Sequence, residues 1–466
     1  MSKLTFMPPI LGLLLPVLVQ GEPLSLSEAL QKTLRDNREI KASASSVEAA
    51  KNTYDGAIGK YLPSIGLTAA YTHLNDDIVV DLSELRTAMI GSASTAATIA
   101  NGPAAGAATS TALQNALPRF ELPVQKQDFT VASVNLTQPL FTGGKITANK
   151  NAKEQLYKNS QTEEKETQSR ILVSLVQQYF TVQLAAQVKS VRSEALSTLQ
   201  EHQRIAAALL KQGQLSKAQK MKVDVAVADA ENALSRAGRD ESLARKVLAN
   251  TLDREDTNFT LTTPLKITAL KSVETYSKTA QEENYSLKQI KHKRELLAAK
   301  KTAARSEFMP TLALIGSYEV YEKDLTEVAP QWYAGLVLKM NLFNGLSDNN
   351  ELKTISQEKT ALDLFEGNAQ SMVSIGVEKY YSEILNAREE YDTVQKTKDL
   401  AKESLRLNTV AFRNGFAKST DVIDSQLQLT AVQLNELKAL YDYNNNFVQL
   451  LKFSGHKDDL LEAYKN

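Results

Sequence analysis

The chain has no cysteine, which excludes thiol catalysis, iron–sulfur clusters, cysteine-ligated zinc and disulfide stapling. It has no net charge either, since 54 Lys+Arg stand against 54 Asp+Glu. Without a basic excess there is no electrostatic case for nucleic acid, nor for bulk attraction to an anionic membrane. The four histidines, His73, His202, His292 and His456, share no metal-ligand spacing, so neither a metal nor a cofactor is expected. No nucleophile–His–acid set can be placed, and Gly143, Gly144 and Lys145 lack the spacing of a phosphate-binding loop, so no enzyme is expected. Proline (12) and glycine (19) are scarce for 466 residues, which points to few, long elements rather than the roughly three domains that length suggests. Beyond the N-terminus no apolar run approaches the ~20 residues of a membrane-spanning helix. Any membrane crossing then falls to strands.

Residues 1–21 read as a secretory signal peptide. Lys3 gives the positive start, Ile10 to Val19 the apolar stretch, and Val19 to Gly21 a cleavage site that leaves Glu22 as the first mature residue. A chain without thiols suits the oxidising compartment beyond.

Two copies of one plan follow. Tyr61 to Leu67 matches Phe308 to Leu314, with Pro63 over Pro310 at an offset of 247. Pro139 to Gly144 matches Asn341 to Leu346, with Gly143 over Gly345 at an offset of 202, and Gly213 lies over Gly415 at the same offset. The difference is an insertion in the first copy, within residues 75–127. Its Ala-, Ser-, Thr- and Gly-rich core, Gly91 to Ala112, reads as a solvated loop outside the cell. The expected boundaries are 22–255 for the first repeat, 256–272 for a link and 273–466 for the second repeat with a C-terminal tail.

After each proline the pattern turns to period two. Ile65, Leu67, Ala69 and Tyr71 alternate with Gly66, Thr68, Ala70 and Thr72; Leu312, Leu314, Gly316 and Tyr318 alternate with Ala313, Ile315, Ser317 and Glu319, and Trp332, Ala334, Leu336 and Leu338 with Tyr333, Gly335, Val337 and Lys339. Strands are expected at about 62–74, 128–140, 310–322 and 331–342, each at least the ~9–11 residues of a tilted membrane strand. Two readings fit: half-buried hairpins of a soluble sheet, or membrane strands with aromatic ends. Four strands cannot close a membrane barrel, whose smallest form takes about eight, and lipid does not tolerate open edges. Membrane strands would therefore require several chains to pool them.

The remaining sequence is helical. Val373, Val377, Tyr380, Ile384, Ala387, Tyr391, Val394, Lys398, Ala401, Leu405, Asn408 and Phe412 step by four and three, and so do Ile423, Leu427, Thr430, Leu434, Leu437, Tyr441, Asn444, Val448 and Leu451. That is a coiled-coil seam, in which Tyr380, Tyr381 and Tyr391 are read as packing residues. Roughly 65–70 helical residues make a rod on the order of 100 Å. Gly213 and Gly415 mark where each rod turns back, giving helical hairpins over about 144–252 and 345–454.

In motif order, duplication and spacing the sequence resembles the outer-membrane efflux protein family, the TolC-like channel tunnels. The resemblance is carried by Leu62-Pro63 and Met309-Pro310, by Leu140 to Gly143 and Leu342 to Gly345, and by the turns at Gly213 and Gly415. It implies a mainly α fold with a membrane β-barrel portion: two tandem repeats, each a strand pair plus a long antiparallel coiled-coil hairpin, trimerising into a twelve-stranded barrel and helical tunnel. It also implies an outer-membrane location, a periplasmic adaptor and an inner-membrane transporter as partners, and passive export without chemistry. A structural coiled-coil envelope protein and a periplasmic adaptor are the competing readings.

Asp421 and Asp424, with Phe412, stand where the family places its periplasmic entrance. Acids in a first helical turn equally cap backbone amides and complement the dipole. The first repeat has Gln219 opposite Asp421, and Ala417 stands where some relatives carry an arginine that ties the entrance shut. Lys211, Lys217, Arg413 and Lys418 are candidate adaptor contacts or simply solvated tips.

Overall fold

The computed structural model describes residues 22–326 and 330–455. The signal-peptide stretch, His456 and the C-terminal tail lie outside the described residues. The first repeat runs β1 (Glu22–Leu24), α1 (Leu26–Asp36), α2 (Arg38–Ile58), β2 (Ser64–His73), β3 (Ile78–Asp81), α3 (Ser83–Asn101), α4 (Pro103–Ala116), β4 (Glu121–Gln125), β5 (Asp128–Phe141), α5 (Lys145–Lys211) and α6 (Lys217–Thr251). After β6 (Phe259–Leu261), the second comprises α7 (Val273–Glu283), α8 (Tyr285–Ser306), β7 (Thr311–Lys323), β8 (Trp332–Lys339), α9 (Ser347–Arg413) and α10 (Ser419–Phe453).

The two copies agree residue for residue where backbone chemistry dictates ends. α5 and α9 each span 67 residues, α6 and α10 each 35. Ser25 and Ser272 cap α1 and α7 through their hydroxyls. Asn37 and Asn284 each accept from the amide two residues on, separating α1 from α2 and α7 from α8. At the long turns Gly213 (φ 72°) and Gly415 (φ 81°) adopt the left-handed conformation. Gln214 N–H reaches back to the Leu209 carbonyl (2.9 Å) and Phe416 N–H to that of Ala411 (2.8 Å), the same closing bond in both copies. Two residues past its end α6 is followed by Asp253 (φ 52°), where α10 is followed by Gly455 (φ 75°).

Two compact units divide the chain: Asn52–Glu154 with Leu296–Glu358, and the other described residues. In the helical unit both hairpins are antiparallel. Gln203 bonds Asp224 (2.6 Å) and Lys189 pairs with Glu241 (3.0 Å), so partners diverge in number away from the turn. Asn408 with Ser425 (2.6 Å) and Lys398 with Glu436 (2.5 Å) do the same in the second copy. The main core gathers Leu26 and Leu30 of α1, Leu172 to Phe180 of α5, Val377 and Ile384 of α9, and Tyr443 to Leu451 of α10. The second-copy seam residues on α9 are buried or half-buried throughout. On α10 one seam position differs: Leu427 is 56 % exposed, because Val422, Ser425, Gln426 and Leu429 turn inward there instead.

By length and composition α5 also holds a stretch apolar enough to cross a membrane, contrary to the expectation that only the N-terminus would. Leu172, Leu175, Val176, Tyr179 and Phe180 account for its apolarity by packing in the helical core. Tyr380 and Tyr381 are packing residues, the first against Phe453 (5.4 Å between centroids), the second against Tyr276 (6.4 Å).

In the strand unit β2, β5, β7 and β8 form one antiparallel sheet in that order, with β2 and β8 as open edges. β8 has eight residues, shorter than expected, because its ladder with β7 runs only from Trp332 to Lys339. The insertion is not a loop. β3 pairs with β4, and α3 and α4 form a helical hairpin between them. Alanine is the strongest helix former, and Gly106 lets α4 approach Thr98 of α3 so closely that a Cβ would sit 1.8 Å from its hydroxyl.

Candidate conduit and entrance

Cross-strand register sorts the sheet into two chemical faces. Leu67, Val134, Tyr318 and Trp332 line up across all four strands, as do Ile65, Leu136, Gly316 and Ala334. The alternate rows carry Gly66, Asn135, Ser317 and Tyr333, and Thr68, Ser133 and Glu319. This second face is hydrogen-bonded within itself: Asn135 donates to Thr68 Oγ1 (3.3 Å), and Ser317 Oγ donates to Asn135 Oδ1 (3.0 Å). On the first face Leu67 is 71 % and Trp332 65 % exposed, so no helix covers them as a soluble sheet would require. A sheet apolar on one side and polar on the other is the pattern of membrane strands around an aqueous lumen.

Pro63 and Pro310 immediately precede β2 and β7, where a missing N–H costs no ladder bond. Gly143 (φ 59°) and Gly345 (φ 70°) make the turns from β5 into α5 and from β8 towards α9.

Within the helical unit a small second core joins the two hairpin tips: Leu199, Ala206, Leu215, Val223 and Val227 of the first copy, Phe412, Val422 and Ile423 of the second. His202 sits at its centre, 2 % exposed, with Nε2 2.8 Å from Ser419 Oγ and its ring against Phe412 at 4.6 Å. Its Nδ1 is buried without a partner. Sequence periodicity did not single out His202, because its partner lies 217 residues away.

Of the residues expected at the entrance, Phe412, Arg413, Gly415, Lys418 and Asp421 line one groove with Gln219 and Phe416. Asp421 accepts the Lys418 backbone N–H at 2.8 Å, and Gln219 accepts that of Ser216 at 3.3 Å. Both are capping contacts at equivalent places. Asp424 lines a different, largely apolar groove with Lys222, Val225, Asp229 and Leu427. Arg413 approaches Glu201 (3.8 Å). Lys211, Gly213 and Lys217 are exposed. Phe416, 88 % exposed, is an aromatic that sequence reading passed over.

A model of outer membrane efflux proteins matches residues 29–252 and 276–456. The chain belongs to the outer membrane efflux protein family. Members are trimeric conduits that work in tripartite efflux systems. The solved outer membrane protein VceC of Vibrio cholerae is similar over 92 % of this chain and 96 % of its own, at 13 % identity and TM-score 0.73. The Campylobacter jejuni CmeC outer membrane channel is similar at 15 % identity and TM-score 0.72, over 94 % of this chain and 89 % of its own. The open state of the Neisseria gonorrhoeae MtrE channel is similar at 15 % identity and TM-score 0.69, covering 92 % and 88 %. No curated protein sequence matches.

Within this efflux-protein fold the burial of His202 predicts an acid sensitivity of the tips. Burial holds its imidazole below the ordinary range, against the opposing bond with Ser419. Once the tips separate, the ring takes a proton near pH 6.5, whereas the packed tip resists it. The contact therefore loses stability as pH falls from about 6.5 towards the lowered value, and is unaffected above. Protection from hydrogen exchange at the two tips, corrected for the intrinsic slowing in acid, should fall between pH 7 and 5, and His202→Gln should flatten that dependence. An unaltered profile in the variant would show that His202 does not carry the response.

Proposed function

We propose that the chain is the outer-membrane exit duct of a tripartite efflux or secretion system, passing substrates from the periplasm outward without chemistry of its own. The carrying observation is the two-faced sheet with open edges. In lipid each unpaired backbone group costs several kcal/mol, and three copies of four strands satisfy every edge by joining β2 of one copy to β8 of the next. Polar rows then line a lumen, apolar rows meet lipid, and the helical hairpins extend into the periplasm. An envelope scaffold would have no use for a sheet with one face fitted to lipid and the other to water.

The tips are the surface offered to the periplasmic adaptor and, through it, to an inner-membrane transporter. Lys211, Lys217, Arg413, Lys418 and the exposed Phe416 are the contacts proposed there. Asp421 and Asp424 are proposed to place carboxylates around the entrance, Asp421 while also capping α10.

Purified protein in a planar bilayer is expected to give stepwise conductance. Micromolar trivalent cations should block it from the periplasmic side, and Asp421→Asn with Asp424→Asn should relieve the block by at least tenfold in concentration. A folded trimer that stays electrically silent would remove the duct reading. Equal block in the double variant would leave both acids with structural duties only.

A further inference from the structure

The α3–α4 hairpin is held together by one face of each helix. Ile90 is buried between them, and Ser94 Oγ donates to the Gly106 carbonyl (3.0 Å). The opposite face of α3 presents Leu85, Met89, Ser92, Ala96 and Ile99, spaced four, three, four and three, all exposed. Leu85 is 55 %, Met89 48 % and Ile99 82 % exposed. Glu84 and Arg86 are the charged residues of α3, and Arg86 turns inward to the carbonyls of Gln114 (2.6 Å) and Leu117 (3.0 Å). An uncharged heptad stripe of this kind is a seam without its partner, not a solvated surface.

Its attachment says what the partner is. The β3–β4 ribbon continues the β2–β5 hairpin at the end of the sheet remote from α5 and α9. It is fixed there by Gln127 N–H on Asp77 (2.5 Å), by Gln125 Nε2 on the Asp324 carbonyl (2.8 Å) and by Lys126 with Asp324 (2.5 Å). β2, from which the insertion departs, is an open edge and so lies at the boundary between copies. In a ring of identical chains each α3 meets the α3 of its neighbours, and an uncharged seam is complementary to itself.

We propose that the α3 seam is covered by the same seam of the other two copies, three helices closing as a bundle over the outer mouth of the barrel. The inference rests on the trimeric reading above. Ser92 and Ala96 allow the helices close approach at mid-height, while Leu85, Met89 and Ile99 provide the apolar contact. The duct thus has a lid at its outer end, separate from the periplasmic entrance.

A chain without native thiols makes the test direct. Met89→Cys and Ile99→Cys, each introduced singly into the full-length protein in outer-membrane vesicles, are expected to give covalent dimers on mild oxidation. Thr111→Cys, exposed on α4, is the control and should stay monomeric on denaturing gels. Native mass measurement of the same samples reports the trimer independently. Trimers whose Met89→Cys and Ile99→Cys thiols remain free, or that crosslink equally through Thr111→Cys, overturn the lid alone. Monomers overturn the lid together with the trimeric duct.

Discussion

Replacing Tyr179 by Phe is expected to cost about 2 kcal/mol and to loosen the N-terminal strand. Tyr179 lies fully buried on α5, and its hydroxyl organises three backbone groups from two distant segments. It donates to the Leu24 carbonyl (2.9 Å) and accepts from the amides of Thr262 (3.1 Å) and Thr263 (3.0 Å). That single oxygen sits where β1 and β6 pair in parallel, and Thr263 Oγ1 in turn accepts the Leu26 N–H (3.0 Å) at the start of α1. Phenylalanine keeps the packing and removes the hydroxyl from all three groups. Thr262 N–H and the Leu24 carbonyl keep each other as partners at 3.2 Å, so the penalty falls chiefly on the Thr263 N–H. Each buried orphan costs about 1–3 kcal/mol. Hydrogen exchange at Thr263 should quicken by between about one and two orders of magnitude, the rate equivalent of that energy. A change below about tenfold would mean that the backbone finds other partners.

Gly143→Ala and Gly345→Ala form the second test, because the repeat gives one motif two environments. Both glycines hold a left-handed conformation, φ 59° and 70°, worth about 1–2 kcal/mol against any other residue. At Gly143 a Cβ would also lie 2.6 Å from Met309 Cβ and 3.0 Å from the Ser306 carbonyl, whereas at Gly345 it meets nothing within 4 Å. Overpacking adds about 1–3 kcal/mol to the first alone. Gly143→Ala should therefore lower the thermal midpoint of the folded protein by two- to threefold more than Gly345→Ala. Equal losses would show that the turn conformation, and not the contact with Met309, governs the strand exit.

The sequence was most legible where short-range chemistry acts. Seam residues repeat every seven, serines and asparagines cap helices locally, and glycines end them by admitting positive φ, so the helices could be read before any contact was known. The alternation of Ile65, Leu67, Ala69 and Tyr71 likewise required no partner to be seen. The insertion was misread because Ala, Ser, Thr and Gly suit an open loop and a closely packed helical hairpin equally well. What separates the two is the fit of Gly106 against Thr98, a contact between elements. Leu427 was misread because a four-three count fixes a stripe but not the angle at which the neighbouring helix meets it.

On its own the amino-acid order determined an exported, thiol-free chain of two copies, each a strand pair and a hairpin of long helices, and the need for several chains to close a barrel. Caps, periods and backbone hydrogen-bond satisfaction act over a few residues, and they leave their mark in the letters themselves. Tertiary structure alone decided which side chains lock the tips together, His202 to Ser419, and which oxygen ties the first strand to the link between repeats. It also decided that α3 keeps an apolar seam uncovered. Those outcomes depend on desolvation and close approach between segments far apart in the chain, and nothing local in the sequence reports either.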